Sequence, residues 1–492
     1  MNSAEYFRSY MSDPSDYDKI GLYDTVSDLL KGSYKLFKDE LAIDYNGQTI
    51  SYSDLYSDVC KLQASFIKLG FLKGDNAGLL FRNEYDFVIS FFALTSLGVT
   101  CALLPSTLNA EKCGQLSKAF ALKKIITNEK CQFADGDLFV SLNNLDYKNE
   151  DADELKDFEL AKNDPACIVF TGGTTGIPKG ALLSHRNLCR GAFNGALVKG
   201  KVFKLRYFSL IPFTHVFGLV KNLMSCFLTG SIIHICENPA GFAKEAKEFG
   251  PETMVLTPGL ASIVYTLMKN FGPTFFGDKF KTIICGGAHV PVAIIEGFKT
   301  LGIECLPGYG LTEAANLVSG NISIDTKNAS VGIIYPEQEG KIVDGELYVK
   351  GDNVFLGYFN NPVANEKTFD GEWLKTGDLA YFDEDGYLYI KGRRNNIIVL
   401  SNGYNISPEE IENDICLNTK VKDCIVKKDA DSDQLVCEIL LNENTEENQN
   451  EIKEFILTKI NNDITEGSSI SKFIFRDVDF ERSPAMKIIR KW

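Results

Sequence analysis

The sequence predicts an α/β protein: a large N-terminal domain of layered α/β subdomains, followed by a small, mobile C-terminal domain of α+β type. Three observations carry that prediction. Strand-like and helix-like hydrophobic patterns alternate over most of the length. Several strand candidates run straight into glycine-containing turns, the places where α/β proteins put ligand loops. The 492 residues exceed one ordinary domain and are enough to bury large cores.

Taken in order, a helix is expected to begin near Ser53, with Leu55, Val59, Leu62, Phe66 and Leu69 at three-to-four spacing and Gly70 as its C-terminal cap. Strands are expected at Ala77–Phe81, Cys167–Phe170, Ile232–Cys236, Thr282–Cys285, Glu346–Lys350, Tyr387–Lys391 and Ile397–Leu400. The polar run Gly392-Arg393-Arg394-Asn395-Asn396 reads as a joint, which divides the chain into a domain over 1–391 and a smaller one over 392–492. The segment Asn442–Glu451 reads as a solvated loop entering a helix.

Composition excludes several classes of function. A formal net charge of −15 argues against nucleic acid or an anionic membrane as the main partner, since both reward a basic surface. Thirteen cysteines, an odd number with no Cys-x-x-Cys pair, fit a reduced protein better than a disulfide framework or a zinc site. The four histidines show no metal-ligand spacing. Met1–Asp16 is polar and acidic, unlike a secretory signal, and no apolar stretch is long enough to span a bilayer. A soluble cytoplasmic protein without stable membrane insertion is therefore expected.

The first chemical signal is Thr171-Gly172-Gly173-Thr174-Thr175-Gly176-Ile177-Pro178-Lys179-Gly180 behind the apolar Cys167–Phe170 run. Glycines let the backbone approach oxygens closely, hydroxyls and N–H groups donate, and one lysine supplies a point charge. These are the properties of a polyphosphate loop. The spacing is not that of a Walker A loop, and a flexible linker is the alternative, one that needs neither a strand before it nor a lysine after it.

Further clusters follow: Cys285-Gly286-Gly287-Ala288, then Pro307-Gly308-Tyr309-Gly310-Leu311-Thr312-Glu313 between strand-like IECL and helix-like EAANLV. Lys375-Thr376-Gly377-Asp378-Leu379, Gly392-Arg393, Ser401-Asn402-Gly403-Tyr404 and a basic segment around Lys487 complete the series. Alone, each has a plain reading. Thr312 and Glu313 suit a helix cap, Asp378 a turn, Arg393 a surface, His215 a hydrogen-bonded core position, and Lys487 a basic tail in which Lys491 is its rival.

In this order the motifs resemble the adenylate-forming superfamily of acyl-CoA synthetases, adenylation domains and beetle-type luciferases, from about Thr49 to the C-terminus. The resemblance implies ATP and Mg2+, with Thr171, Gly172, Gly173, Thr174, Thr175, Gly176 and Lys179 on the β- and γ-phosphates. Gly287 and Ala288 would lie against adenine and Tyr309 would stack on it. Thr312 would contact the α-phosphate, Glu313 would hold the metal, and Asp378 with Arg393 would hold the ribose. His215, in Ile211-Pro212-Phe213-Thr214-His215-Val216-Phe217-Gly218, matches the position beside the substrate carboxylate. No acid lies between Tyr207 and Ser225, so an α-amino acid substrate is not expected.

Lys487 aligns with the lysine that catalyses adenylation, Asn395 with the interdomain hinge, and Gly403 with the segment that meets the thiol. Three positions depart from the family pattern: Gly172 replaces the usual serine, Ala485-Met486 the usual Thr-Gly, and Asn395 the usual Asp or Lys. The activity so implied is that of an AMP-forming acid–thiol ligase. A carboxylic acid, expected to be a medium- or long-chain fatty acid as in fatty acid metabolism, becomes an acyl-adenylate with release of pyrophosphate and then passes to CoA. The alternative is an acyl- or aryl-AMP ligase that loads a separate phosphopantetheine carrier protein.

Overall fold

The computed structural model describes residues 2–131, 136–171, 177–323, 327, 329–399, 405–416, 418, 420–429, 434–463, 469–481, 488 and 490. Two large mixed sheets make up most of the N-terminal domain. The first has seven strands in the order Gly357–Tyr358, Lys179–Ser184, Pro165–Thr171, Thr100–Pro105, Asn76–Phe81, Leu122–Thr127 and Phe139–Ser141. The last five run parallel, and the first two are antiparallel additions at one edge. The second sheet has nine strands. Six consecutive ones run parallel, from Glu304–Tyr309 through Thr282–Cys285, Thr253–Leu256, Arg206–Ser209 and Ile232–Ile235 to Leu41–Tyr45.

Parallel strands covered on both faces should be apolar along their whole length rather than alternating. In Thr253–Leu256 and Ile232–Ile235 every residue is buried, and all but Thr253 and His234 are apolar. The helix Tyr52–Lys68 shows the complementary rule for a half-covered element. Ser51 accepts a hydrogen bond from the Asp54 N–H while Asp54 accepts one from the Ser51 N–H, which closes the N-terminus. Leu55, Val59, Leu62 and Phe66 form the buried stripe, each worth roughly 1.5–3 kcal/mol when removed from water. Leu69 is the cap and Gly70 follows it at φ +82°, a left-handed turn that glycine adopts without steric cost. The next helix, Tyr85–Ser96, is buried on all sides from Phe87 to Ser96, as expected of a helix inside a core.

An antiparallel sheet joins Gln338–Val343, Glu346–Gly351, Trp373–Phe382 and Phe369–Asp370, and Leu388–Arg393 also pairs with Trp373–Phe382. The small C-terminal domain has its own sheet of Val421–Lys428, Leu435–Leu441 and Ile470–Arg476, with a separate apolar core that includes Ile415, Val426, Ile439 and Ile456. Helix Glu446–Phe455 starts from a Thr445 cap, inside the stretch read as a loop entering a helix. All thirteen cysteines are free thiols. Among the described residues no helix is long and apolar enough to cross a membrane.

One buried histidine ties the second sheet to its covering helix. His234, on a central strand, places Nδ1 2.7 Å from Asp44 Oδ1 and Nε2 3.1 Å from Glu245 Oε2. Burial opposes its protonation, but the hydrogen bonds and charges of the two carboxylates outweigh burial and raise its pKa above the ordinary value. A group whose folded pKa is raised stabilises the fold fully below its unfolded pKa of roughly 6.5 and loses that contribution as pH rises through the folded value. His234→Asn should therefore lower the unfolding midpoint more at pH 5.5 than at pH 9. Thermal melts across that range test this; a pH-independent gap would exclude the linkage.

Candidate functional site

The strand order brings the sequence clusters to the ends of a few strands. Thr171 closes Pro165–Thr171 and Lys179 opens Lys179–Ser184, and the two residues face each other in antiparallel register. The Thr171 hydroxyl donates to the Lys179 carbonyl at 3.4 Å. Thr171 and Lys179 are thus held by one ladder, and Lys179 stands at the foot of its strand. Residues 172–176, which include Gly172, Gly173, Thr174, Thr175 and Gly176, lie outside the described residues, as do Gly403 and Lys487.

Thr282–Cys285 and Glu304–Tyr309 run side by side, and their glycine turns leave from the same end. Gly287 sits at φ +87°, where a β-carbon would meet the Thr257 methyl at an ordinary contact distance of 3.9 Å, and Ala288 is exposed beside it. A β-carbon on Gly286 would lie 3.4 Å from both the Gly308 carbonyl oxygen and the Phe217 ring. Three of the predicted clusters therefore meet at this point: the Gly286-Gly287 edge, the Gly308-Tyr309 strand and the segment after His215.

Tyr309, Asp378 and Arg393 are in direct contact. The Tyr309 hydroxyl donates to Asp378 Oδ2 at 2.5 Å, and Arg393 Nε lies 2.7 Å from Asp378 Oδ1. Burial, with the Asp378 charge beside it, pushes the Tyr309 phenol well above its ordinary pKa, so it remains a donor. Asp378 and Arg393 are cross-strand partners in the Trp373–Phe382/Leu388–Arg393 pair, so backbone register brings the two charges together. Gly377, at φ +73°, turns the strand just before the carboxylate. The Gly377 N–H donates to Glu346 Oε1, and the Asp378 N–H to the Thr376 hydroxyl. Asp378 is 4% exposed. Each of its oxygens, having accepted one donor, retains acceptor capacity toward a ligand hydroxyl.

Thr312 and Glu313 do not begin a helix. The EAANLV stretch expected to be helical is a single 3-10 turn, Thr312–Ala314, after which Ala315 and Asn316 adopt left-handed backbone at φ +46° and +75°. The reversal folds the chain back onto Gly310, where a β-carbon would lie 1.1 Å from the Asn316 carbonyl oxygen. The Glu313 carboxylate, instead of capping N–H groups, accepts a hydrogen bond from the Tyr358 hydroxyl at 2.6 Å.

His215 lies in the turn between Arg206–Ser209 and the π-helix Phe217–Met224. The His215 N–H donates to the Pro212 carbonyl, and the Phe213 N–H to Asn83 Oδ1 at 3.0 Å. Phe213 packs its ring 5.7 Å from Phe87 of the buried helix, which anchors the turn from below. Gly218 is required here, since a β-carbon would stand 2.3 Å from the Pro212 carbonyl oxygen. A cleft of about 450 Å³ opens beside the turn, lined by Phe81, Arg82, Asn83, Pro212, Thr214 and Glu237 among others. Asn395 is exposed in the 3-10 turn Arg394–Asn396, from which Asn396 Nδ2 donates to Glu409 Oε1. The neighbours of Lys487 are seated in the small domain. Ile488 packs on Ile425, Leu440 and Phe480, and Arg490 Nη1 donates to Glu412 Oε1 at 2.7 Å.

Magnesium suits the donor set at Glu313. A single hard carboxylate donor fits the mode in which Mg2+ binds through one or two carboxylates and takes its remaining ligands from a nucleotide. No group of three His, Cys, Asp or Glu residues that could cage a metal occurs among the described residues. Tyr358, Thr376 and Glu346 were silent in the sequence. A Gly-Tyr pair and a Thr-Gly-Asp turn mark a position, but nothing local reveals that Glu346 lies under the turn or that Tyr358 reaches Glu313.

A mixed α/β fold whose glycine turns converge on a buried aspartate, an arginine and a glutamate defines a nucleotide-handling class. Residues 32–359 match the family model described as "AMP-binding enzyme", and the chain belongs to that family. A 2-succinylbenzoate–CoA ligase of Bacillus anthracis is 27% identical over 405 residues, covering 80% of this chain and 83% of the relative. Among solved structures, an anthranilate CoA ligase in complex with anthranoyl-AMP superposes with a TM-score of 0.84 at 20% identity, covering 96% and 97% of the two chains. The o-succinylbenzoate CoA synthetase of Bacillus subtilis with its acyl-adenylate intermediate gives 0.79 at 22% identity, covering 94% and 96%. Both likenesses show the shared fold.

Gly310→Ala should destabilise the protein by about 3 kcal/mol or more, because the clash is with backbone that has nowhere to move. A melting temperature unchanged to within a degree would show that the reversal after Glu313 has more room than its geometry indicates.

Proposed function

We propose that this chain is an AMP-forming acid–thiol ligase that activates an aryl carboxylic acid as its acyl-adenylate and transfers the acyl group to CoA. The observation that carries the reading is the Tyr309–Asp378–Arg393 contact at the strand ends of an AMP-binding fold. Asp378 is the acceptor for the ribose hydroxyls, Arg393 holds it in place, and Tyr309, Gly287 and Ala288 border the adenine. Thr171, residues 172–176 and Lys179 take the leaving phosphates, and Thr312 takes the α-phosphate.

A carboxylate resists a thiol because its carbonyl carbon is electron-rich and oxide leaves poorly. In the first half-reaction the substrate carboxylate oxygen attacks the α-phosphorus of ATP and pyrophosphate departs. Lys179 clamps the departing phosphates and Lys487 offsets the charge that develops at the α-phosphorus. Magnesium, bound through Glu313 and the nucleotide, would supply further neutralisation of phosphate charge. In the second half-reaction the CoA thiol attacks the acyl carbonyl and AMP leaves. His215 orients the substrate carboxylate. A swing of the small domain about Asn395 would exchange Lys487 for the Gly403 segment between the two steps.

The medium- or long-chain fatty acid expected from the sequence gives way to an aryl acid, because the relatives named above are ligases of 2-succinylbenzoate and anthranilate. Hydroxylamine trapping across a panel of aryl and fatty acids, with and without CoA, tests this. Hydroxamate from aryl acids, diverted to thioester when CoA is added, is the expected result; hydroxamate from fatty acids alone would overturn the aryl assignment. Lys487→Ala should raise the adenylation barrier by about 3 kcal/mol and leave thiol attack on preformed acyl-AMP intact. Equal loss in both half-reactions would remove Lys487 from the role.

A further inference from the structure

We propose that Tyr358 is a positioning residue for nucleotide and metal: its ring carries Lys179 and its hydroxyl holds Glu313, so that the two charges stand apart and ready. This inference rests on the proposed function. Gly357–Tyr358 pairs antiparallel with Lys179–Ser184, with Tyr358 opposite Ala181, two residues along the strand from Lys179 and therefore on the same face. The Lys179 ammonium sits 4.3 Å from the centre of the Tyr358 ring. At the other end of that ring the hydroxyl donates to Glu313 Oε1 at 2.6 Å. One side chain thus touches both the cation expected at the phosphates and the carboxylate expected at the metal.

The ring has little freedom to move. Tyr358 is 7% exposed, and its ring packs edge-on against Phe355 with centroids 5.0 Å apart. Its backbone N–H donates to Asn365 Oδ1 and its carbonyl accepts from Asn365 Nδ2, which ties it to the helix Pro362–Thr368. The adjoining Phe355 N–H donates to the Glu313 carbonyl, so the same turn holds Glu313 by its main chain as well. Burial, and then the Glu313 charge, pushes the Tyr358 phenol above its ordinary pKa and keeps it a donor.

No ion pair joins Lys179 to Glu313 among the described residues. A lysine and a glutamate in reach of each other would neutralise one another and present nothing to a magnesium nucleotide. The tyrosine prevents this by giving each charge its own partner, the quadrupole of the ring face for the ammonium and the phenol proton for the carboxylate. Both partners are weaker than the ligand charges expected to replace or join them. A carboxylate oxygen that accepts one hydroxyl still has lone pairs for a cation.

Tyr358→Phe keeps the ring and removes only the hydroxyl. ATP affinity is measured by titration calorimetry, once at saturating Mg2+ and once in EDTA. The expected result is a loss of about tenfold with Mg2+, the scale of one hydrogen bond to a charged group, and little change in EDTA. Equal shifts in the two conditions, or no shift with Mg2+, would overturn the inference. The second variant is Glu313→Gln. In that background Tyr358→Phe should have no further effect on magnesium-dependent binding, and a full additional loss would also overturn it. Absence of magnesium-dependent ATP binding by the unaltered chain overturns the functional reading and this inference with it. A normal unaltered chain with an unshifted Tyr358→Phe overturns the inference alone.

Discussion

Asp378 carries a charge that is almost completely removed from water, and the order of the candidate site follows from how that charge is accommodated. An isolated carboxylate in such a place would cost several kcal/mol. Here it meets the Arg393 guanidinium on one oxygen and the Tyr309 phenol on the other. Those two partners come from different sheets, Arg393 from the antiparallel sheet and Tyr309 from the last of the six parallel strands of the nine-stranded one. The buried charge therefore acts as a rivet between layers. Removing Arg393 would take away the carboxylate's counter-charge, and removing Tyr309 would take away a donor to the other oxygen, so the geometry of all three is coupled.

The same economy of contacts recurs at Glu313 and Lys179. Among the described residues neither is paired with an opposite charge across the site, and a single buried tyrosine supplies both with a partner. The backbone around these groups is shaped to make this possible. Gly310 admits the reversed chain at Asn316, Gly286 admits Phe217, and Gly218 admits the Pro212 carbonyl. At Gly310 and Gly218 a β-carbon would collide with main chain, and at Gly286 it would just touch the Phe217 ring and the Gly308 carbonyl. Gly310 and Gly218 matter for close approach, whereas Gly287 and Gly377 adopt left-handed backbone.

Much of the framework was legible in the residues. The Tyr52–Lys68 helix announced itself by its apolar stripe and its terminal glycine, and Thr282–Cys285 by a short β-branched run before Gly286-Gly287. The order of the glycine clusters pointed to the family that the match over residues 32–359 assigns. Short-range pattern misled at EAANLV, whose alanines and leucine favour a helix in isolation. The tertiary constraint at Gly310 and the pairing of Ser319–Gly320 with Glu304–Tyr309 turned it into a single 3-10 turn.

The sequence by itself determined which chemical groups are present and in what order: a glycine-threonine loop with one lysine, a strand-end glycine pair, Thr312-Glu313, Asp378 and Arg393. Periodicity and turn chemistry are local, so they survive reading along one dimension. Only the tertiary structure decided which groups touch. Asp378 meets Arg393 through cross-strand register, Glu313 meets Tyr358 and Tyr358 meets Lys179 through an edge pairing between strands far apart in the chain. Such pairings depend on the loop-closure and packing balance of the whole domain, a sum over contacts that no short window of residues contains.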